Sequence, residues 1–339
     1  MVVKKTNTPK VSFRPNTNKH FPLFLQWIVH RMEIFWKRYY EMPPPWTDDS
    51  ILRQYKFTNV YRVLDRSSQY LLNDVIYNGR HYNDEDMLWR ILLYKHFNSP
   101  STWSYLRYSV GEITLNTPLH IISDRLTALH NRPHSRPIYS NAYMLTASFI
   151  PKEDPRPKHQ IYIELLWNEI IANGLWRKIL DSETFEECFN HLRGVKTIGG
   201  FLAYQFVQDL NYSNLVDFDN NSFCFPGPGT IRGVSRVFDF DFTKNTESNV
   251  ADAVIWTYHN IIGLLKHHGM FLKFSPLPNF WPQVPDICNC FCETDKYMRA
   301  MNIQQEGVKR TRLKNTFKPN TNRIKYTLPP KWGIKILEL

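Results

Sequence analysis

A chain of 339 residues that is 42% hydrophobic and 15% aromatic can fill one large core or two modest lobes, which excludes an intrinsically disordered protein. Its net charge of +11 points to a polyanionic partner. No stretch approaches the ~18 uninterrupted apolar residues of a membrane span, and no apolar run follows the N-terminal lysines as a secretory leader requires. The expectation is a cytoplasmic protein without a membrane partner.

Residues 1–20 are polar and carry Lys4, Lys5, Lys10, Arg14 and Lys19 with no acid, so they predict a flexible basic arm. A helix follows from about Pro22 to Tyr40, with Leu25, Ile28, Met32 and Phe35 at helical spacing. The run Met42-Pro-Pro-Pro-Trp46 ends it. Thr47, Asp48 and Asp49 offer caps for a second helix reaching about Leu72. Asn83 to Asp86 repeat the capping pattern before a helix that ends near Phe97. Residues 110–140 are irregular, Gln160 to Leu180 form an amphipathic helix despite Gly174, and Val250 to Lys266 form a late one. Strand signals are few and helical periodicity dominates, so a mostly α fold is expected. From Lys296 to Leu339 eleven Lys or Arg face only Glu306 and Glu338, a net +9, which predicts a tail that tracks phosphates or merely solubilises the chain.

The five cysteines are odd in number, and Cys288, Cys290 and Cys292 are crowded together, which is a poor disulfide framework. Structural zinc needs paired C-x₂₋₄-C knuckles, so buried thiols are expected and no metal site is assigned. No GxxxxGK[ST] or GxSxG occurs, and neither a cofactor nor a nucleotide site is predicted.

Two regions look chemical. On a continuous helix Arg62, Asp65, Arg66 and Gln69 would share one face beside Asn59 and Tyr61, suited to a phosphate or a base edge, or equally to a salt-bridge seam. Gly199 and Gly200 open a helix whose free N–H groups suit a backbone phosphate, unless they form a plain turn. Further on, Asp217 and Asp219 precede Phe225-Pro-Gly227-Pro-Gly229-Thr-Ile-Arg232. There the glycines would let the backbone approach a ligand closely.

These residues carry a resemblance. Pro44-Pro45-Trp46-Thr47-Asp48-Asp49, Phe57-x-Asn59-x-Tyr61-Arg62-x-x-Asp65-Arg66, Gly199-x-Phe201-x-Ala203-Tyr204-Gln205, Asp209-Leu210-x-Tyr212, Gly227-Pro-Gly229 and Cys292-Glu293-x-Asp295-Lys296-Tyr297 resemble the α-glutamyl/putrescinyl-thymine pyrophosphorylase-like family. That family is also described as the helical domain of hydroxymethyluracil DNA kinases, and the resemblance spans about residues 22–300. It implies a two-lobed, all-helical domain similar to helix-hairpin-helix DNA glycosylases. The division expected is a basic arm (1–20), a catalytic domain (21–300) and a basic tail (301–339).

Laid over the glycosylase hairpin, Val195 to Ala203 keep the final Gly and Ala. Thr197 replaces the first Gly, and Phe201 stands where a Schiff-base lysine would fall. The family's catalytic acid, about sixteen residues beyond the hairpin Ala, lands on Asp219, with Asp217 as the alternative. A carboxylate there would stabilise the oxocarbenium character of a breaking N-glycosidic bond.

The reading that follows is a monofunctional DNA glycosylase that removes a bulky modified pyrimidine, such as glucosylated hydroxymethylcytosine of phage DNA, in anti-phage defence. Base flipping would deliver that base to Asn59, Tyr61, Phe201, Tyr204 and Gln205. Arg62, Arg66, Gly199, Gly200, Gly227, Gly229, Arg232, Lys309, Arg310 and Arg312 would grip double-stranded DNA. Two alternatives stand beside it: a group transferase on hypermodified thymine in DNA, and a non-catalytic DNA-binding module.

Overall fold

The computed structural model describes residues 9, 11, 14–133, 137–140, 153–239, 247–303, 313, 316–319 and 325–336. In chain order its α-helices are α1 (Phe21–Tyr39), α2 (Ser50–Gln54), α3 (Arg66–Tyr70), α4 (Asp84–Phe97), α5 (Pro100–Val110), α6 (Leu119–His130), α7 (Lys158–Leu166), α8 (Leu175–Leu180), α9 (Phe185–Arg193), α10 (Gly200–Leu210), α11 (Pro228–Val237), α12 (Glu247–His267) and α13 (Val284–Ala300). Short 3₁₀ and π turns join several of them. Among the described residues β-structure is limited to isolated bridges, so the fold is mostly α as the periodicity predicted. No described helix is long and apolar enough to cross a membrane.

The chain divides into two compact units: Met1–Asp65 together with Asp219–Leu339, and Arg66–Phe218. In the first, α13 packs against α1, α11 and α12. The stripe Leu25, Ile28, Met32 and Phe35 of α1 is buried, and Phe24 stacks on Phe291 of α13 with ring centres 4.1 Å apart. Helix α11 lies so close to α13 that a Cβ at Gly229 would overlap Sγ of Cys292, and one at Gly233 would overlap the carbonyl oxygen of Phe291. Gly229 therefore serves a helix-to-helix approach, which corrects the expectation that it admits a ligand.

In the second unit α4 is buried from Leu88 to Phe97. Asn83 caps it by accepting the N–H of Asp86 at 2.7 Å, as the sequence predicted. Its buried cations are compensated inside the unit, as buried charges must be. Arg90 Nη1 donates to Ile113 O at 2.9 Å and lies 3.3 Å from Glu112, and its guanidinium sits 4.0 Å over the ring of Tyr82. Lys95 Nζ lies 2.8 Å from Asp209 on α10, with both side chains buried. Burial pushes His96 down to about 3, so its ring is neutral.

Three sequence expectations change. The helix expected from Asp49 to Leu72 is broken: α2 ends at Gln54, the chain runs extended to a 3₁₀ turn at Arg62–Leu64, and α3 starts at Arg66. Arg62, Asp65, Arg66 and Gln69 consequently do not form one helical face. The helix expected over 160–180 is interrupted by a π turn at Trp167–Ala172 and by Gly174, whose φ of +73° ends the run. Residues 119–130, read as irregular, form α6. The cysteine triplet lies on α13, and all five cysteines are free.

Parts of the basic C-terminal segment are docked on the first unit. Thr316 bridges to Tyr55, and Phe317 N donates to Gln54 O at 2.9 Å. Tyr326 meets Phe35 at 5.2 Å, and Trp332 stacks on Phe280 at 5.0 Å.

Candidate functional site

A run of buried polar contacts in the first unit surrounds residues 57–65. Asp49 caps the start of α2 by accepting the N–H groups of Ile51 at 2.9 Å and Leu52 at 3.0 Å. It also accepts the Tyr297 hydroxyl at 2.5 Å. Burial raises the Asp49 carboxyl, but His30, Tyr297 and these backbone donors outweigh it and hold the group near 2. The extended chain beyond α2 cannot satisfy its own backbone, so neighbouring helices do so.

From α1, Arg31 donates to Thr58 O at 3.0 Å and to Asn59 Oδ1 at 3.2 Å. From α13, Glu293 accepts Thr58 N at 3.0 Å, and Asn289 donates to Thr58 Oγ1 at 2.8 Å while accepting from Arg62 Nη1 at 2.9 Å. Asp286 accepts Arg62 N at 2.7 Å. Within the segment, Asp65 accepts Asn59 N at 2.7 Å and Asn59 Nδ2 donates to Leu64 O at 2.6 Å.

Burial dominates the electrostatics of this latch. It raises Asp65 to about 6 against the attraction of Arg62, and raises Asp286 to about 7. It lowers Arg31 to about 10, partly offset by Asp65 and Glu293. The residues expected to read a base edge are thus engaged internally. Both polar ends of the Asn59 side chain are taken. Tyr61 is fully buried, donating to Phe280 O at 2.6 Å and accepting Leu277 N at 3.1 Å. Contact with a ligand would require breaking these bonds, so in this structure Asn59, Tyr61 and Arg62 form a structural latch.

The other candidates are divided between the units. Asp219, Gly227, Gly229 and Arg232 belong to the first; Arg66, Gly199, Gly200, Phe201, Tyr204, Gln205 and Asp217 belong to the second. Gly199 and Gly200 do open α10, as expected, with no side-chain cap and open space around Gly199. Phe201 is 40% exposed, whereas Tyr204 is buried against Phe185 at 5.3 Å and Gln205 is buried too. Arg66 and Asp217 are exposed. Asp219 accepts Asn221 N at 2.9 Å through Oδ1, and its Oδ2 is buried with no hydrogen-bond partner among the described residues. Arg232 pairs with Asp295 of α13 at 3.2 Å. Lys309, Arg310 and Arg312 lie outside the described residues.

The polar face of α13 was not anticipated from the sequence. Asp286, Asn289, Glu293 and Lys296 recur at spacings of 3, 4 and 3, a helical signal that the alternating cysteines obscured. Among the described residues no group of three or more His, Cys, Asp or Glu is placed to hold a metal ion.

Residues 18–307 match the family described as "5-hmdU DNA kinase, helical domain". A 5-hmdU DNA kinase of Bacillus phage SP10 is 24% identical over 257 residues, which cover 70% of this chain and 40% of that relative. The chain thus spans well under half of the relative's length. No solved structure matches. These findings overturn the expected DNA glycosylase and hydrolase activity, since both similarities lead to a kinase, a transferase of phosphoryl groups. The anti-phage excision role falls with it, and so does the assignment of Asp219 or Asp217 as the acid of N-glycosidic cleavage. The chain belongs to the 5-hmdU DNA kinase helical-domain family.

Proposed function

We propose that this chain binds DNA carrying a modified uracil and presents it for group transfer to the base, leaving the glycosidic bond intact. The observation that carries this reading is the family match over residues 18–307, supported by the name of the phage relative. The charge of +11, concentrated in residues 1–20 and 301–339, supports double-stranded DNA as the partner. We read those two segments as basic extensions of a helical domain at 21–300.

The uncapped N–H groups at Gly199 and Gly200 suit one backbone phosphate, the grip expected of a helix-hairpin-helix turn. Phosphoryl transfer needs positioned charge and an oriented acceptor more than covalent help from the protein. Asp219, whose Oδ2 is buried with no hydrogen-bond partner among the described residues, is the candidate for orienting an accepting hydroxyl.

The test combines the purified protein with γ-labelled ATP and Mg²⁺ on duplexes containing either 5-hydroxymethyluracil or thymine. Nucleoside digests are scored for labelled base and for released base, and binding of both duplexes is measured in parallel. Labelled modified base, or tighter binding of the modified duplex with no released base, is expected. Equal binding of the two duplexes together with no transfer would overturn the proposal.

A further inference from the structure

One buried carboxylate of the first unit holds three arginines. Asp295 of α13 accepts Nε of Arg236 at 2.8 Å through Oδ1, and Nε of Arg232 and of Arg299, each at 3.2 Å, through Oδ2. Its side chain is 1% exposed, against 26% for Arg232, 9% for Arg299 and 3% for Arg236. Three cations on one anion leave an excess of two positive charges, an arrangement that fold stability does not require. A single arginine would satisfy Asp295, and each added guanidinium repels the others.

The donors used make the arrangement directional. Every contact to Asp295 employs the inner Nε. Arg236 turns Nη1 inward to Ile303 O at 2.9 Å. Among the described residues, Arg232 and Arg299 make no other hydrogen bond, so their four Nη nitrogens remain available as two planar forks. Guanidinium forks fit the oxygens of carboxylate and phosphate bidentately. An anchoring carboxylate fixes both side chains in advance, which reduces the entropy lost on binding.

We propose that Arg232 and Arg299, positioned by Asp295, form a receptor for a phosphate monoester carried by nucleic acid. The excess charge selects the ligand class. A backbone diester carries one negative charge, whereas a monoester near neutral pH carries about −1.5 to −2 and three strong acceptor oxygens. The basic sequence that follows α13 favours a nucleic-acid source over a small metabolite. Arg236 fixes the carbonyl of Ile303, and the chain beyond it carries Lys309, Arg310 and Arg312. The proposal deepens the DNA-binding reading given above, and it places the chain where a reaction that adds a phosphate to DNA supplies its ligand.

Two probes test the site separately from that reading. Calorimetric titration with inorganic phosphate at pH 7.5 asks only whether the forks exist. Wild type should bind it, while Arg232→Gln and Arg299→Gln should each weaken binding roughly tenfold, the loss expected of a charge-assisted bidentate contact. Thermal melting confirms that each variant is folded, and Arg232→Lys should restore only part of the affinity because it keeps the charge without the fork.

The second probe compares oligonucleotide duplexes bearing a 5′-phosphate or a 5′-hydroxyl. The phosphorylated duplex should bind roughly tenfold tighter, and Arg232→Gln should erase the difference. Equal phosphate binding by wild type and both folded variants, or none by wild type, would overturn the receptor. Phosphate binding that depends on both arginines, with equal binding of the two duplexes, would overturn the nucleic-acid assignment and leave a site for free phosphate.

Discussion

Asp286 accepts the backbone N–H of Arg62 at 2.7 Å, joining the N-terminus of α13 to a turn 224 positions earlier. Its second oxygen accepts Gln283 N at 2.9 Å, so both oxygens have donors, yet burial raises the group to about 7 from 3.8. Asp65 is raised to about 6 for the same reason. The folded chain therefore holds protons on these carboxyls more tightly than the unfolded chain does.

Between pH ~4 and ~7 the native state binds more protons, so the contribution of these two groups to stability falls as pH rises and is fully lost above ~7. The change is on the order of a few kcal/mol. Asp49, held near 2, acts in the opposite sense: its contribution is present above its ordinary value and is lost only as pH falls towards 2. The measurement is the melting temperature of wild type and Asp65→Asn at pH 5 and pH 8. The variant should gain relative to wild type on going to pH 8, and a gap that does not move with pH would refute this account of the latch.

The Lys95–Asp209 pair gives a second prediction. Its 2.8 Å contact is between side chains only 4% and 6% exposed, so removing one partner strands a buried charge. Lys95→Met alone should cost about 3–5 kcal/mol. Lys95→Met combined with Asp209→Leu should recover much of that loss, because neither charge then remains. Denaturant titration of the four proteins completes the cycle, and additive single losses would show that the residues do not interact.

The glycines of α11 give a third. A Cβ at Gly233 meets the backbone carbonyl of Phe291, which cannot rotate away, whereas a Cβ at Gly229 meets a side chain, Cys292 Sγ. Gly233→Ala should therefore destabilise the protein by about 1–3 kcal/mol or more through overpacking. Gly229→Ala should cost less, and adding Cys292→Ala should relieve it. A Gly233→Ala protein that melts with the wild type would show that α11 and α13 do not approach as described.

The basic tail gives a fourth. Removing residues 300–339 would also strip Phe317, Tyr326 and Trp332 from the first unit, confusing charge with packing. Replacing Lys309, Arg310 and Arg312 together by Gln avoids this. If all three touch phosphates, the slope of log K against log salt should flatten by up to ~2.7, at about 0.9 per contact. An unchanged slope in a binding titration from 50 to 200 mM salt would show that they do not.

Where a segment's own pattern agrees with its environment, the sequence was sufficient. Helix α1 follows from apolar residues at helical spacing, and α4 from an Asn cap and an acidic first turn. Helix α12 follows from its apolar period, and the start of α10 from paired glycines. Motif order also carried enough information to reach the right family, because it is a property of the chain alone.

The tertiary structure decided what depends on residues far apart in sequence. Residues 50–72 have a helix-compatible pattern, but Arg31, Asp286, Asn289 and Glu293 satisfy the backbone and side chains of 58–65 in a path broken from the α-helix, and that outweighs local propensity. Gly229 reads as a ligand loop until Cys292 is seen against it. Asp295 reads as one acid in a charged helix until Arg232 and Arg236, some sixty positions away, converge on it. Hydrogen bonds and close contacts act through space, so a pattern along the chain reveals them only where the partners are also sequence neighbours, as they are one turn apart on a single helix.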